Sequence, residues 1–152
     1  VTGELTVDDL AGLRQLVDRY ADAVDRKDDS AFTDLFTTDG SLRVQPDEGP
    51  VESEWSDDQL AMALEPLRAY YRTFHHIGGA VFDATAGGAA GRVHCLAHHY
   101  QRTGSGPVDL VMMIRYHDRY QRPENRWLIA ERRVAVQWTE LHPAHSIRKG
   151  SR

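Results

Sequence analysis

A chain of 152 residues with 41% hydrophobic and 27% charged side chains has the size and composition of one globular domain. A formal charge of −5 argues against a nucleic-acid binder, which needs a basic stripe to displace counterions, and no polybasic run offers a membrane anchor. A single cysteine, Cys95, excludes an intrachain disulfide and suits a reducing cytoplasm.

The opening "VTGELTVDDL" lacks a basic n-region and an apolar h-region, so no signal peptide is expected. No apolar run approaches the ~20 residues of a membrane span. Thr6 is placed to cap a helix whose first turn holds Asp8 and Asp9, where carboxylates favour the dipole. Leu10, Leu13, Leu16, Val17, Tyr20, Ala21 and Val24 then recur at helical spacing and predict about five amphipathic turns. Asp25, four residues after Ala21, projects beside the apolar stripe at the helix end, either as an edge carboxylate or as a buried one.

Ser30 reads as the cap of a short second helix that buries Phe32, Leu35 and Phe36, and Asp39-Gly40 as a turn. "SLRV" alternates as a short strand. Residues 45–56 form a polar loop with an edge strand near Val51. Ser56 and Gln59 resemble a capping box for a third helix running through Leu60, Leu64, Leu67 and Tyr71, which Pro66 kinks or restarts.

From Thr73 the period changes to two. Four strands are expected near 74–84, 90–102, 108–121 and 126–138, joined by "TAGGA", "TGSGP" and "RPEN". Connections this short make consecutive strands antiparallel. Helices followed by a long, curved antiparallel sheet describe an α+β domain over residues 1–152, with a core near 8–140 and a tail from 141.

Strand parity sorts the side chains. In "RVHCLAHHYQ" Val93, Cys95, Ala97 and His99 share the small, apolar face that helices would cover; His94, Leu96, His98 and Tyr100 share the other. His99 therefore faces the core, where a lone histidine is commonly a satisfied core residue. His94 and His98 lie roughly 13 Å apart at ~3.3 Å per residue, too far to chelate one ion, and no metal site is predicted. Leu110, Met112, Ile114 and Tyr116 share one face of the next strand; Leu128, Ala130, Arg132, Val134, Val136 and Trp138 share one face of the last. Met112, Tyr116 and Trp138 are taken from these faces as substrate contacts. His75 shares parity with Ile77, Gly79 and Val81, and His76 with Gly78, Ala80 and Phe82, so parity alone does not choose between the two histidines. Leu96, Tyr100 and Met113 beside charges on the outer face predict a homo-oligomer.

Four stretches carry a resemblance: "YADAVDRKD", "TFHHIGG", "GRVHCLAHHYQR" and "YHDRYQRPENRWLIAERRVAVQW". Together they resemble the SnoaL-like family of the nuclear transport factor 2-like superfamily, which includes scytalone dehydratase, bile-acid 7α-dehydratase and lindane dehydrochlorinase. The resemblance implies a cone-shaped α+β barrel. It places a catalytic aspartate at Asp25, a catalytic histidine at His75 rather than His76, and a second active-site histidine at His99. Tyr20 stands where the bile-acid enzyme has a tyrosine. Val24, Pro46 and Tyr116 depart from scytalone dehydratase, which argues against scytalone as substrate.

The resemblance further implies a dimer or trimer and a lyase or dehydratase that uses no cofactor on a small hydrophobic, cyclic or polycyclic substrate. In that chemistry Asp25 orients His75, His75 removes a proton from an acidic carbon, and His99 or Tyr20 hydrogen-bonds a leaving oxygen or a developing oxyanion. The alternatives are an isomerase or cyclase on the same fold, a non-catalytic ligand-binding protein, or the small subunit of an oxygenase.

Overall fold

The computed structural model describes residues 3–145. Helix α1 spans Val7–Arg26 and opens on a capping box: the Thr6 hydroxyl accepts from the Asp9 N–H, and the Thr6 N–H donates to the Asp9 carboxylate. The other Asp9 oxygen accepts from Arg122 at 2.6 Å and Trp127 Nε1 at 3.2 Å, which ties the helix start to a distant hairpin. Lys27, in the left-handed region at φ 53°, ends the helix immediately after Asp25 and Arg26.

Helix α2 spans Asp29–Thr33 and is capped by Asp28, whose carboxylate accepts from the Ala31 N–H, rather than by Ser30. Asp39-Gly40 is not a turn. It lies inside strand β1 (Phe36–Pro46), at a register shift between Phe36 and Ser41. A Cβ on Gly40 would sit 2.8 Å from the Thr37 carbonyl oxygen, so the irregularity needs glycine.

The edge strand expected near Val51 is β2, Ser53–Ser56, paired antiparallel to β1. The expected third helix is two 3₁₀ helices, Asp57–Met62 and Glu65–Ala69. The Ser56 side chain makes no cap bond, and Pro66, lacking an N–H, starts the second piece rather than continuing the first. Tyr70 is already extended, so Tyr71 and Arg72 are not helical.

Strands β3 (Arg72–Thr85), β4 (Gly88–Thr103), β5 (Gly106–Gln121) and β6 (Leu128–Pro143) follow as an antiparallel meander. Of the expected tail, residues 141–143 belong to β6 and 146–152 lie outside the described residues. The sheet order is β2-β1-β6-β5-β4-β3, and β1 pairs with β6 in parallel, so the sheet is mixed rather than wholly antiparallel. The long, curved sheet wraps α1, whose Leu13, Val17 and Val24 are buried with Val93, Ala97 and Ile129 from the strands.

Bulges break the parity rule in two strands. On β3 the register shifts between Ile77 and Ala80, so Gly78-Gly79 is the bulge; beyond it Phe82 packs on the core while Val81 is 53% exposed. On β6 Trp138 pairs with Met113 while Val136 pairs with Ile114. The extra residue, Gln137, turns Trp138 to the outer face, where it is 57% exposed. A second shift near Ala130 puts Ile129, rather than Leu128 and Ala130, in the core with Arg132.

Candidate active site

The last turn of α1 delivers Asp25 against the start of β3. One carboxylate oxygen accepts from the Thr73 hydroxyl at 3.0 Å and stands 2.7 Å from His75 Nδ1. The other accepts from the His75 backbone N–H at 2.8 Å. An ionised carboxylate only accepts, so Nδ1 carries a proton, and in the neutral form of the ring the lone pair is on Nε2. Burial pushes the Asp25 carboxyl up, but the bonds from the His75 ring and backbone outweigh it and hold the group below the ordinary aspartate value. The His75 side chain is 7% exposed. His76, one residue on, is exposed.

His99 enters from β4, as its parity with Val93, Cys95 and Ala97 requires, and is 2% exposed. Its ring meets the His75 ring edge to face, with centroids 5.7 Å apart. His99 Nδ1 lies 3.1 Å from the Leu110 carbonyl oxygen. A carbonyl cannot donate, so this ring too carries its proton on Nδ1. Burial, reinforced by the neighbouring His75, lowers its pKa and favours the neutral ring.

Both histidines line a cavity of about 240 Å³ inside the cone. Tyr20 and Val24 of α1 form one wall, and Met112, Ile114 and Tyr116 of β5 the facing one. Trp55 of β2 closes one flank, and Pro66, Leu67 and Tyr70 of the 3₁₀ segment cover another. Tyr70 packs on His99 with the rings tilted by 55° and their centroids 4.8 Å apart. The lining is mostly apolar, and the two imidazoles are its most basic groups.

Tyr20 stays protonated, its hydroxyl pushed up to about 12 by burial. Beside it the fully buried Arg132 guanidinium packs against both the Tyr20 and Tyr116 rings, 4.0 and 4.1 Å from their centroids. Asp118 accepts from Arg132 at 2.9 and 2.6 Å and also from the Tyr120 hydroxyl. Cys95 is buried beside this cluster with its thiol pushed up to about 11 by burial, so it is a core residue and not a nucleophile.

The structure thus brings Asp25, His75, His99, Tyr20, Met112 and Tyr116 together at one cavity or immediately beside it. It separates Trp138 from them. The β6 bulge sends that residue to an outer groove of about 270 Å³ flanked by His94 and Met113. His98 lies on the outer face as well, 2.6 Å from Asp109. Sequence reasoning missed Thr73, Trp55, Tyr70 and the Asp118–Arg132 pair. Thr73 was legible by parity, two residues before His75. Arg132 carried a signal too, as the one charge on an otherwise apolar strand face.

The SnoaL-like domain family matches residues 6–133. Among solved structures the chain is similar to a proposed scytalone dehydratase from Novosphingobium aromaticivorans, at 19% identity and TM-score 0.72, covering 95% of this chain and 97% of that one. It is similar to the hexachlorocyclohexane dehydrochlorinase LinA at 15% identity and TM-score 0.72, covering 95% of each chain. It is also similar to the beta subunit of a proposed aromatic-ring-hydroxylating dioxygenase from Novosphingobium aromaticivorans, at 19% identity and TM-score 0.72, covering 88% and 93%. These likenesses establish the α+β cone of the nuclear transport factor 2-like and cystatin-like folds. No curated protein matches the sequence.

Proposed function

The chain belongs to the SnoaL-like domain family, and on that premise we propose that it is a cofactor-independent lyase acting on a small, hydrophobic cyclic or polycyclic substrate. The observation that carries this reading is the Asp25–His75 pair at an apolar cavity, in which Asp25 engages Nδ1 and leaves Nε2 as the nitrogen that can act as base. His75 Nε2 takes a proton from a carbon next to a carbonyl or ring. The C–H pair becomes the new C=C bond, and the bond to the β oxygen breaks. The His75 imidazolium returns its proton to the departing hydroxide, so water leaves and the ring is neutral again. Asp25 holds the ring orientation and supports the imidazolium while it exists. Tyr20, protonated and in the wall, donates to an oxyanion that develops on the activating carbonyl.

An isomerase uses the same proton abstraction with return to a different carbon. A ligand-binding protein or an oxygenase small subunit shares the cavity but has no use for a base oriented by a carboxylate that itself accepts three hydrogen bonds. The protein is further read as a cytoplasmic homodimer or homotrimer associating through the outer sheet face. The test is a screen of hydroxylated ketones and polycyclic alcohols with wild type and His75→Ala in parallel. Turnover by wild type alone supports the reading, and equal turnover by both excludes His75 as the base.

A further inference from the structure

We propose that the cleft between α1 and the β5–β6 hairpin, outside the cone, is a second binding site whose ligand is a small aromatic carboxylate. The cleft holds about 250 Å³ and shares no lining residue with the cone cavity. Three guanidinium groups border it: Arg19 from α1, and Arg122 and Arg126 from the hairpin. Asp8 is the one carboxylate in its lining among the described residues. The neighbouring Asp9 already accepts from Thr6, Arg122 and Trp127. The chain carries −5 overall, yet this cleft has a local surplus of positive charge.

The hairpin arginines are set in place before any ligand arrives. Arg122 donates to Asp9 at 2.6 Å, and Arg126 donates to the Asp34 carbonyl oxygen at 2.7 Å. A carbonyl carries no net charge, so Arg126 is anchored without being neutralised. Arg19 is exposed and pairs with no carboxylate among the described residues. Glu124 and Asn125 at the hairpin tip lie in the left-handed region, at φ 50° and 64°, a tight reversal that lets Arg122 and Arg126 border one cleft. Between the charges the surface is apolar. Leu16 and Leu35 are buried there, and the Trp127 indole is half-buried. Gly12 leaves room for the indole against α1, since a Cβ there would sit 3.1 Å from Trp127 Cδ1. Guanidinium forks match a planar carboxylate, and the indole and leucines offer an aromatic ring its contacts. A cleft of this volume is at the small end of ligand sites, which suits a one-ring acid better than a nucleotide. Neither histidine of the cone takes part, so the site stands whether or not His75 is a base.

The test is a titration of the 152-residue protein with benzoate, its neutral counterpart benzamide, and inorganic phosphate, followed by calorimetry and by the 15N–H signals of the indoles. Benzoate is expected to shift the Trp127 indole and to bind roughly tenfold more tightly than benzamide or phosphate. Arg19→Gln, on the exposed surface of α1, and Arg126→Gln are each expected to weaken benzoate roughly threefold to tenfold. Trp55 lines the cone, so its indole reports binding there instead. A benzoate shift confined to Trp55, benzamide or phosphate bound as tightly as benzoate, unchanged affinity in both variants, or no benzoate binding at millimolar concentration overturns the proposal. The wild-type comparison of the three probes stands even where Arg126→Gln fails to fold.

Discussion

Asp25 grips His75 twice, by the ring at 2.7 Å and by the backbone N–H at 2.8 Å. The double contact fixes the histidine's position along β3 as well as its tautomer. Asp25→Asn keeps an acceptor but replaces one oxygen with an amide that repels the donors around it. Turnover is expected to fall by about 10²–10⁴-fold in kcat, with KM changed little, because the wrong tautomer no longer presents a lone pair. Steady-state kinetics on any substrate found by the screen checks this, and a kcat within twofold of wild type contradicts it.

Acid should destabilise the fold through His99. Burial first, and then the adjacent His75, lower its pKa from the ordinary 6.5, while Asp109 and Asp25 and the Leu110 carbonyl act in the other direction. Between the folded value and 6.5 the unfolded chain binds the extra proton and the folded chain does not. The contribution of neutral His99 is therefore complete above about pH 6.5 and is lost as pH falls through the folded value. Thermal melts of wild type should drop more steeply from pH 7.5 to 5 than those of His99→Gln. Parallel slopes for the two proteins exclude this account.

The Asp118–Arg132 pair is wholly buried in the core. Removing one partner strands the other charge without water. Asp118→Ala is expected to cost about 3–5 kcal/mol, a large part of the stability of a domain this size. The paired change Asp118→Leu with Arg132→Met should cost much less than the sum of the single changes. Urea denaturation of the set measures both, and a loss below 1 kcal/mol for Asp118→Ala runs against the description of the pair.

Trp138, Phe74 and Leu96 leave apolar area on the outer sheet face of a chain read as a homo-oligomer. Trp138→Arg should move the protein to monomer in light-scattering chromatography and leave ligand binding in the cone intact. A wild-type monomer at micromolar concentration ends that reading.

Legibility in the sequence followed the range of the interactions. The Thr6 cap, α1 and the four long strands rest on local spacing and turn chemistry, and they stand close to where that spacing puts them. The parallel pairing of β1 with β6 joins residues some ninety positions apart, and no local signal records it. Alternation placed His99 and Met112 correctly on uninterrupted strands. It misplaced Val81 and Trp138 because a single inserted residue reverses every side chain beyond it. Gly78-Gly79 marks one of those bulges in the sequence; Gln137 marks the other with nothing distinctive. At the site, parity left His75 and His76 equal. The family resemblance chose His75, and the structure puts that residue, not its neighbour, against Asp25.

Carbon-acid proton abstraction by His75 can be read without knowing the leaving group. Wild type and His75→Ala are incubated in D2O with a bicyclic ketone such as 2-indanone, and deuterium entering the carbon next to the carbonyl is followed by NMR against the buffer rate. Exchange is expected to be catalysed by wild type and to fall to the buffer rate in His75→Ala, with both proteins folded. Exchange at the same catalysed rate in both, or no exchange above buffer in wild type with the ketone bound, contradicts it.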